Sequence, residues 1–119
     1  MYKAVHLSPM IPSYNIAGTA TFFKDLLGFA QRTDTPGYAI LSKDGLTIHL
    51  LNAGTHIGEM EFYLEVDNVD AVWNVIKDKL EDIKVRAPFD REYGMREIHI
   101  AIPHTNTLLF VGSVIRKQE

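Results

Sequence analysis

The chain of 119 residues carries 12 basic and 15 acidic side chains, a formal charge of −3, and no cysteine. That balance argues against nucleic acid as the main partner, because phosphate binding wants a basic surface, and the lack of thiols excludes a disulfide framework or a thiolate zinc site. Apolar content of 46% with 23% charged residues fits a single globular domain over 1–119 with a real core. No stretch approaches the ~20 apolar residues that span a bilayer. The opening MYKAVHLSPMIPSYN lacks the apolar run of a signal peptide, so the cytoplasm is the expected compartment.

In chain order, Tyr2 to Ser8 alternates as a strand, with Ala4, His6 and Ser8 on one face. Pro9 and Pro12 mark a corner or an edge position, since proline cannot donate to a ladder. Asn15 then caps a helix running to Leu27, whose stripe Ile16, Ala20, Phe23 and Leu27 follows the 3.6-residue period. Gly28 ends it in the left-handed manner that favours a residue without Cβ. Strands are expected over Phe29–Thr33, Tyr38–Ser42 and Leu46–Leu51, with turns at Pro36-Gly37 and Lys43-Asp44-Gly45. Asn52 to Gly58 links this half to the next.

Shifted by 53 residues, the plan recurs. Asn15 falls on Asn68, Ile16 on Val69, Lys24-Asp25 on Lys77-Asp78, and Leu27 on Leu80. Identities are few, but the cap, the stripe (Val69, Val72, Ile76, Leu80) and the Lys-Asp pair agree in one register, which points to an internal duplication. The second half therefore reads as strand Met60–Val66, helix Asn68–Leu80, strand Ile83–Ala87, a polar and aromatic loop from Pro88 to Gly94, and strands Glu97–Ile102 and Thr107–Gly112. The tail, Arg116 to Glu119, is expected to fray. The fold class is α+β: two βαβββ modules, about 1–53 and 59–115, forming a mixed, curved sheet.

SPMIPSYNIAGTATFFKDLLGF at Ser8 to Phe29 and FDREYGMREIHIAIPHTNTLLFVG at Phe89 to Gly112 resemble the glyoxalase/bleomycin resistance/dioxygenase (vicinal-oxygen-chelate) superfamily, its bleomycin-resistance branch above all. One departure is the turn Ile102-Pro103-His104-Thr105-Asn106, where the branch has Asp-Pro-Asp-Gly-Asn. The resemblance implies a homodimer with clefts between subunits, often with exchanged strands. It also implies either sequestration of a drug-like molecule or a divalent metal held by His, Glu or Gln from four strands. Carried over residue by residue, the metal positions fall on Ser8, His49, Glu61 and Leu109. Serine is a poor ligand and leucine none, so the set is incomplete; a shifted register would substitute His6.

Alternation places Glu61 and Tyr63 opposite Phe62 and Leu64, His49 opposite Ile48 and Leu50, and Glu97 and His99 opposite Ile98 and Ile100. A half-solvated sheet with nothing bound gives the same alternation. Glu61 sits in an apolar strand and needs a partner, Arg96 being one, or water. The reading that follows is a non-catalytic binder of a small cationic or aromatic molecule, with His49, Glu61, Tyr63, Tyr93, Arg96 and His99 as ligand contacts and no cofactor. The alternatives are a glyoxalase-type lyase, isomerase or dioxygenase using manganese, iron, nickel or zinc on His6, His49 and Glu61, and a fold-only interaction module.

Overall fold

The computed structural model describes residues 1–115; the tail from Arg116 to Glu119 lies outside the described residues. The elements are β1 Met10–Ser13, α1 Ile16–Leu27, β2 Ala30–Thr35, β3 Tyr38–Lys43, β4 Leu46–Asn52, β5 Met60–Glu65, α2 Val69–Ile76, β6 Val85–Asp90, β7 Met95–Ala101 and β8 Thr107–Val114. They form two four-stranded mixed sheets, ordered β1-β4-β3-β2 and β5-β8-β7-β6. In each, the first strand runs parallel to the last and the other pairs are antiparallel. The order is the same in both halves, so each half is a βαβββ module.

The repeated cap is repeated in geometry. Asn15 sits at φ −153°, ψ 90° and accepts from Gly18 N at 3.1 Å. Asn68 sits at φ −152°, ψ 98° and accepts from Ala71 N at 3.2 Å. Each side chain satisfies one of the orphan donors of a first helical turn. Ala20, Phe23 and Leu27 of α1 and Val69 and Ile76 of α2 are buried. With Ile11, Leu41, Leu50, Ile98, Ile100, Leu109 and Val111 they form one core running through both modules. The helix side of each sheet faces that core, and the opposite side, its outer face, carries the alternate residues.

The modules are also pinned through the turn after β7. Tyr14 N donates to His104 O at 2.8 Å, and Thr19 Oγ1 to Pro103 O at 2.8 Å. His104 takes a positive φ of 65°, so the turn keeps a tight form although its sequence departs from the family pattern.

Three expected boundaries move. Tyr2–Ser8 is not a strand; the first strand is Met10–Ser13. With Met10 opposite His49 in a parallel register, Leu7 would fall opposite Leu46, where β4 begins, and earlier residues have no strand to pair with. His6 and Ser8 reach Thr47 only through side chains. The helix expected to run to Leu80 ends at Ile76. Lys79 N turns back to Ile76 O at 2.8 Å, which brings Leu80 into the core without further helix. The expected loop from Pro88 begins as strand: β6 continues to Asp90 across an irregularity between Arg86 and Phe89. Pro88 sits at that irregularity, where a missing N–H breaks no ladder bond.

Candidate functional site

The outer face of the second sheet is read from its pairing register. Across β6, β7, β8 and β5 one row is Arg86, His99, Phe110 and Tyr63. The row beside it is Phe89, Glu97, Gly112 and Glu65. The aromatic members touch in sequence. Phe89 meets His99 edge-on at 4.9 Å, His99 stacks on Phe110 at 3.9 Å and 20°, and Tyr63 follows at 6.3 Å. Arg86 closes the strip, its guanidinium 3.5 Å from the Phe89 ring centroid. The result is an aromatic strip four strands wide.

Under the strip lies a buried acid. Glu97 is 0% exposed, and a carboxylate there survives as a charge only if donors surround it. His99 Nε2 lies 2.9 Å from Oε1, with the ring nitrogen as donor, and Arg91 Nη1 donates to the same oxygen at 3.3 Å. The Tyr93 hydroxyl donates to Oε2, and the Tyr63 hydroxyl lies over Gly112 beside the Glu97 side chain. Burial pushes the Glu97 carboxyl up. The donors from His99, Tyr93 and Tyr63 and the charge of Arg91 outweigh it and hold the group below its ordinary value. Burial, with the Glu97 carboxylate beside it, pushes the Tyr63 phenol well above its ordinary range.

Gly112 makes this arrangement possible. A Cβ at that position would overlap the Tyr63 hydroxyl and lie 3.1 Å from Glu97 Cγ. The absent side chain lets Tyr63 lean across β8 toward the carboxylate.

The structure gathers some of the sequence-chosen residues and separates others. Tyr63 and His99 line the strip, Tyr93 closes over Glu97 from the turn between β6 and β7, and Glu61 is exposed on the same face of β5. His49 lies on the outer face of the other sheet, its Nδ1 hydrogen-bonded to the Tyr38 hydroxyl. Arg96 is not with them: it shares the helix side of β7 with Ile98, paired to Asp90 Oδ1 at 2.6 Å and Asp70 Oδ2 at 2.8 Å. Glu61 therefore does not take Arg96 as its partner. Phe110, Arg86 and Gly112 were not foreseen as site residues. The register that puts them beside His99 and Tyr63 is a pairing between strands, which alternation within one strand does not disclose.

The residues present do not fit the family's metal. Leu109 is fully buried on the helix side of β8, and the outer-face positions of that strand are Leu108, Phe110 and Gly112, which offer no side-chain donor. His6 lies against Thr47, and His49 and Glu61 belong to different sheets. Among the described residues no group of three or more His, Cys, Asp or Glu side chains comes together.

The fold is similar to that of solved glyoxalase/bleomycin resistance/dioxygenase proteins, which share this architecture. The bleomycin resistance determinant encoded on transposon Tn5 superposes with a TM-score of 0.79 at 19% identity, over 95% of this chain and 100% of that one. The bleomycin-binding protein of Streptomyces verticillus, solved with copper(II)-bleomycin, gives 0.75 at 15% identity, over 98% and 100%. Lactoylglutathione lyase from Agrobacterium tumefaciens gives 0.76 at 16%, over 93% and 94%. These identities establish a shared fold. No protein-family model and no curated protein matches the sequence.

Proposed function

We propose that the protein binds and sequesters a small aromatic molecule on the outer face of its second sheet, without transforming it. The observation that carries this reading is the strip Phe89, His99, Phe110 and Tyr63 over the saturated Glu97 carboxylate. Flat rings stack on such a surface, and the buried network holds its rings in place before the ligand arrives. The exposed Glu61 and Glu65 on β5 suit a basic group on the ligand. Likeness to bleomycin-binding proteins supports the same class of activity.

A second copy would cover the face. Tyr2, Val5, Leu7, Met10 and Tyr14 are exposed apolar or aromatic side chains along one end of the chain, and a homodimer that buries them accords with the family resemblance. The cytoplasm is the compartment proposed, and no described helix is long and apolar enough to cross a membrane.

Calorimetric titration with bleomycin, on the protein and on Phe110→Ala, tests the reading. Saturable binding weakened about tenfold by the substitution is expected, as for one lost aromatic contact. Unchanged binding in the variant would remove the strip as the site. Elemental analysis giving about one metal equivalent per chain after desalting would favour the lyase or dioxygenase alternative instead.

A further inference from the structure

The outer face of the second sheet is electrically polarised from one edge to the other. A third row, beyond the Arg86 row, runs Lys84, Ala101, Leu108 and Glu61: Ala101 N donates to Lys84 O at 2.9 Å, and Ala101 and Leu108 pair, as do Leu108 and Glu61. The β6 edge thus presents Lys84 and Arg86, and the β5 edge presents Glu61 and Glu65. Among the described residues none of these four has an oppositely charged side chain within ion-pair distance.

The other arginines nearby are committed. Arg91 pairs with Glu92 and Glu97, and Arg96 with Asp70 and Asp90 behind the sheet. Arg86 lies over Phe89, and among the described residues its N–H groups make no hydrogen bond. A guanidinium stacked on a ring is a fork held in position for a carboxylate or phosphate. Glu97, by contrast, is fully buried and already accepts from His99, Arg91 and Tyr93, so it is not offered to a ligand. Three interstrand gaps of about 4.8 Å separate the two edges by ~14 Å, with His99 and Phe110 between them.

We infer that the ligand of this face is an elongated aromatic zwitterion, its acidic group on Arg86 and Lys84 and its basic group on Glu61 and Glu65. The inference rests on the binding reading above and narrows its ligand class. An acid at one end distinguishes it from a purely cationic ligand, which would leave Lys84 and Arg86 without a partner.

Three rod-like probes test it by calorimetry: a para-linked aminomethyl-biphenyl carboxylic acid, its methyl ester, and biphenyl carboxylic acid. The zwitterion should bind about tenfold tighter than the ester, the worth of one charge-assisted hydrogen bond. Arg86→Met, which keeps an apolar stem over Phe89, should abolish that difference. Equal affinities in the unmodified protein, or a preference that survives Arg86→Met, overturns the acidic subsite. If the ester still binds and Phe110→Ala weakens it, the binding face stands and only its ligand class is wrong. If no probe binds at millimolar concentration, both readings fall.

Discussion

The two modules have one backbone plan and two different outer faces. In the first, the rows equivalent to those of the strip are Thr33, Ile40, His49 and Met10, and Thr35, Tyr38, Leu51 and Pro12. Where the second module has Glu97, the first has Tyr38; where the second has Gly112, the first has Leu51. Tyr38 and His49 make one hydrogen bond between two rings 5.6 Å apart and nearly perpendicular. Glu97 accepts from Arg91 and Tyr93 of the β6–β7 turn and from His99 of β7, with Tyr63 of β5 beside it. One backbone plan therefore carries a buried acid network on one outer face and a single hydrogen-bonded ring pair on the other.

The largest test of that contrast is the acid. Glu97→Ala removes the centre of a buried network and should destabilise the protein by about 3 kcal/mol, read from urea midpoints at constant m-value. Tyr38→Phe at the equivalent place should cost about 1 kcal/mol or less. Equal losses would mean that the two faces are energetically alike. The pH dependence has a definite sign. The folded-state pKa of Glu97 is lowered from 4.5, so its stabilisation is complete above about pH 4.5 and is lost as pH falls through the depressed value. Glu97→Gln should flatten the acid limb of the stability curve in that window and leave its neutral slope unchanged.

Gly112 comes next. Gly112→Ala forces Tyr63 off the carboxylate and should cost about 2 kcal/mol, the usual scale for overpacking. In a Tyr63→Ala background the hydroxyl that collides is gone, and the same change should cost under about 1 kcal/mol. A double-mutant cycle with no coupling would separate Gly112 from the network.

The plan of elements was legible because it depends on local signals. Asn15 and Asn68 cap in the same conformation, and the alternations at Ile48–Leu51 and Glu61–Leu64 point as read. The opening strand was misplaced since Tyr2–Ser8 alternates without a partner along β4, and pairing is not written in alternation. Arg96, read as a ligand contact, lies apart from the strip for a related reason. A charged residue next to Glu97 in sequence lies on the opposite side of the strand, and its acids, Asp70 and Asp90, come from a helix and a neighbouring strand. Glu97 could be read as facing the cleft, but its burial depends on Tyr93, Tyr63 and Arg91 closing over it, which is tertiary.

The duplicated caps should respond alike. Asn15→Ala and Asn68→Ala each remove one side-chain acceptor from a first helical turn, and each should cost about 1 kcal/mol. A much larger loss at Asn15 would reveal the contribution of the Pro103–Asn106 turn docked against the start of α1.

The smallest effect concerns the left-handed residues that follow the same helices. The 53-residue shift places Gly28 on Glu81, and both are left-handed, at φ 76° and 46°. In the first module glycine meets this demand without a steric penalty; in the second a glutamate adopts it, at a cost of about 1 kcal/mol. Gly28→Ala should therefore destabilise by about 1 kcal/mol, since the nearest atom to an added Cβ is Lys43 Nζ at 3.8 Å and the cost is purely one of backbone. Glu81→Gly relieves the strain but frees the unfolded chain, which offsets about half the gain. A net stabilisation of about 0.5 kcal/mol in the second module, against a loss in the first, would show the two copies relaxing toward one backbone from opposite sides. Destabilisation by Glu81→Gly would mean that the glutamate side chain stabilises the turn after α2 by more than its backbone strain costs.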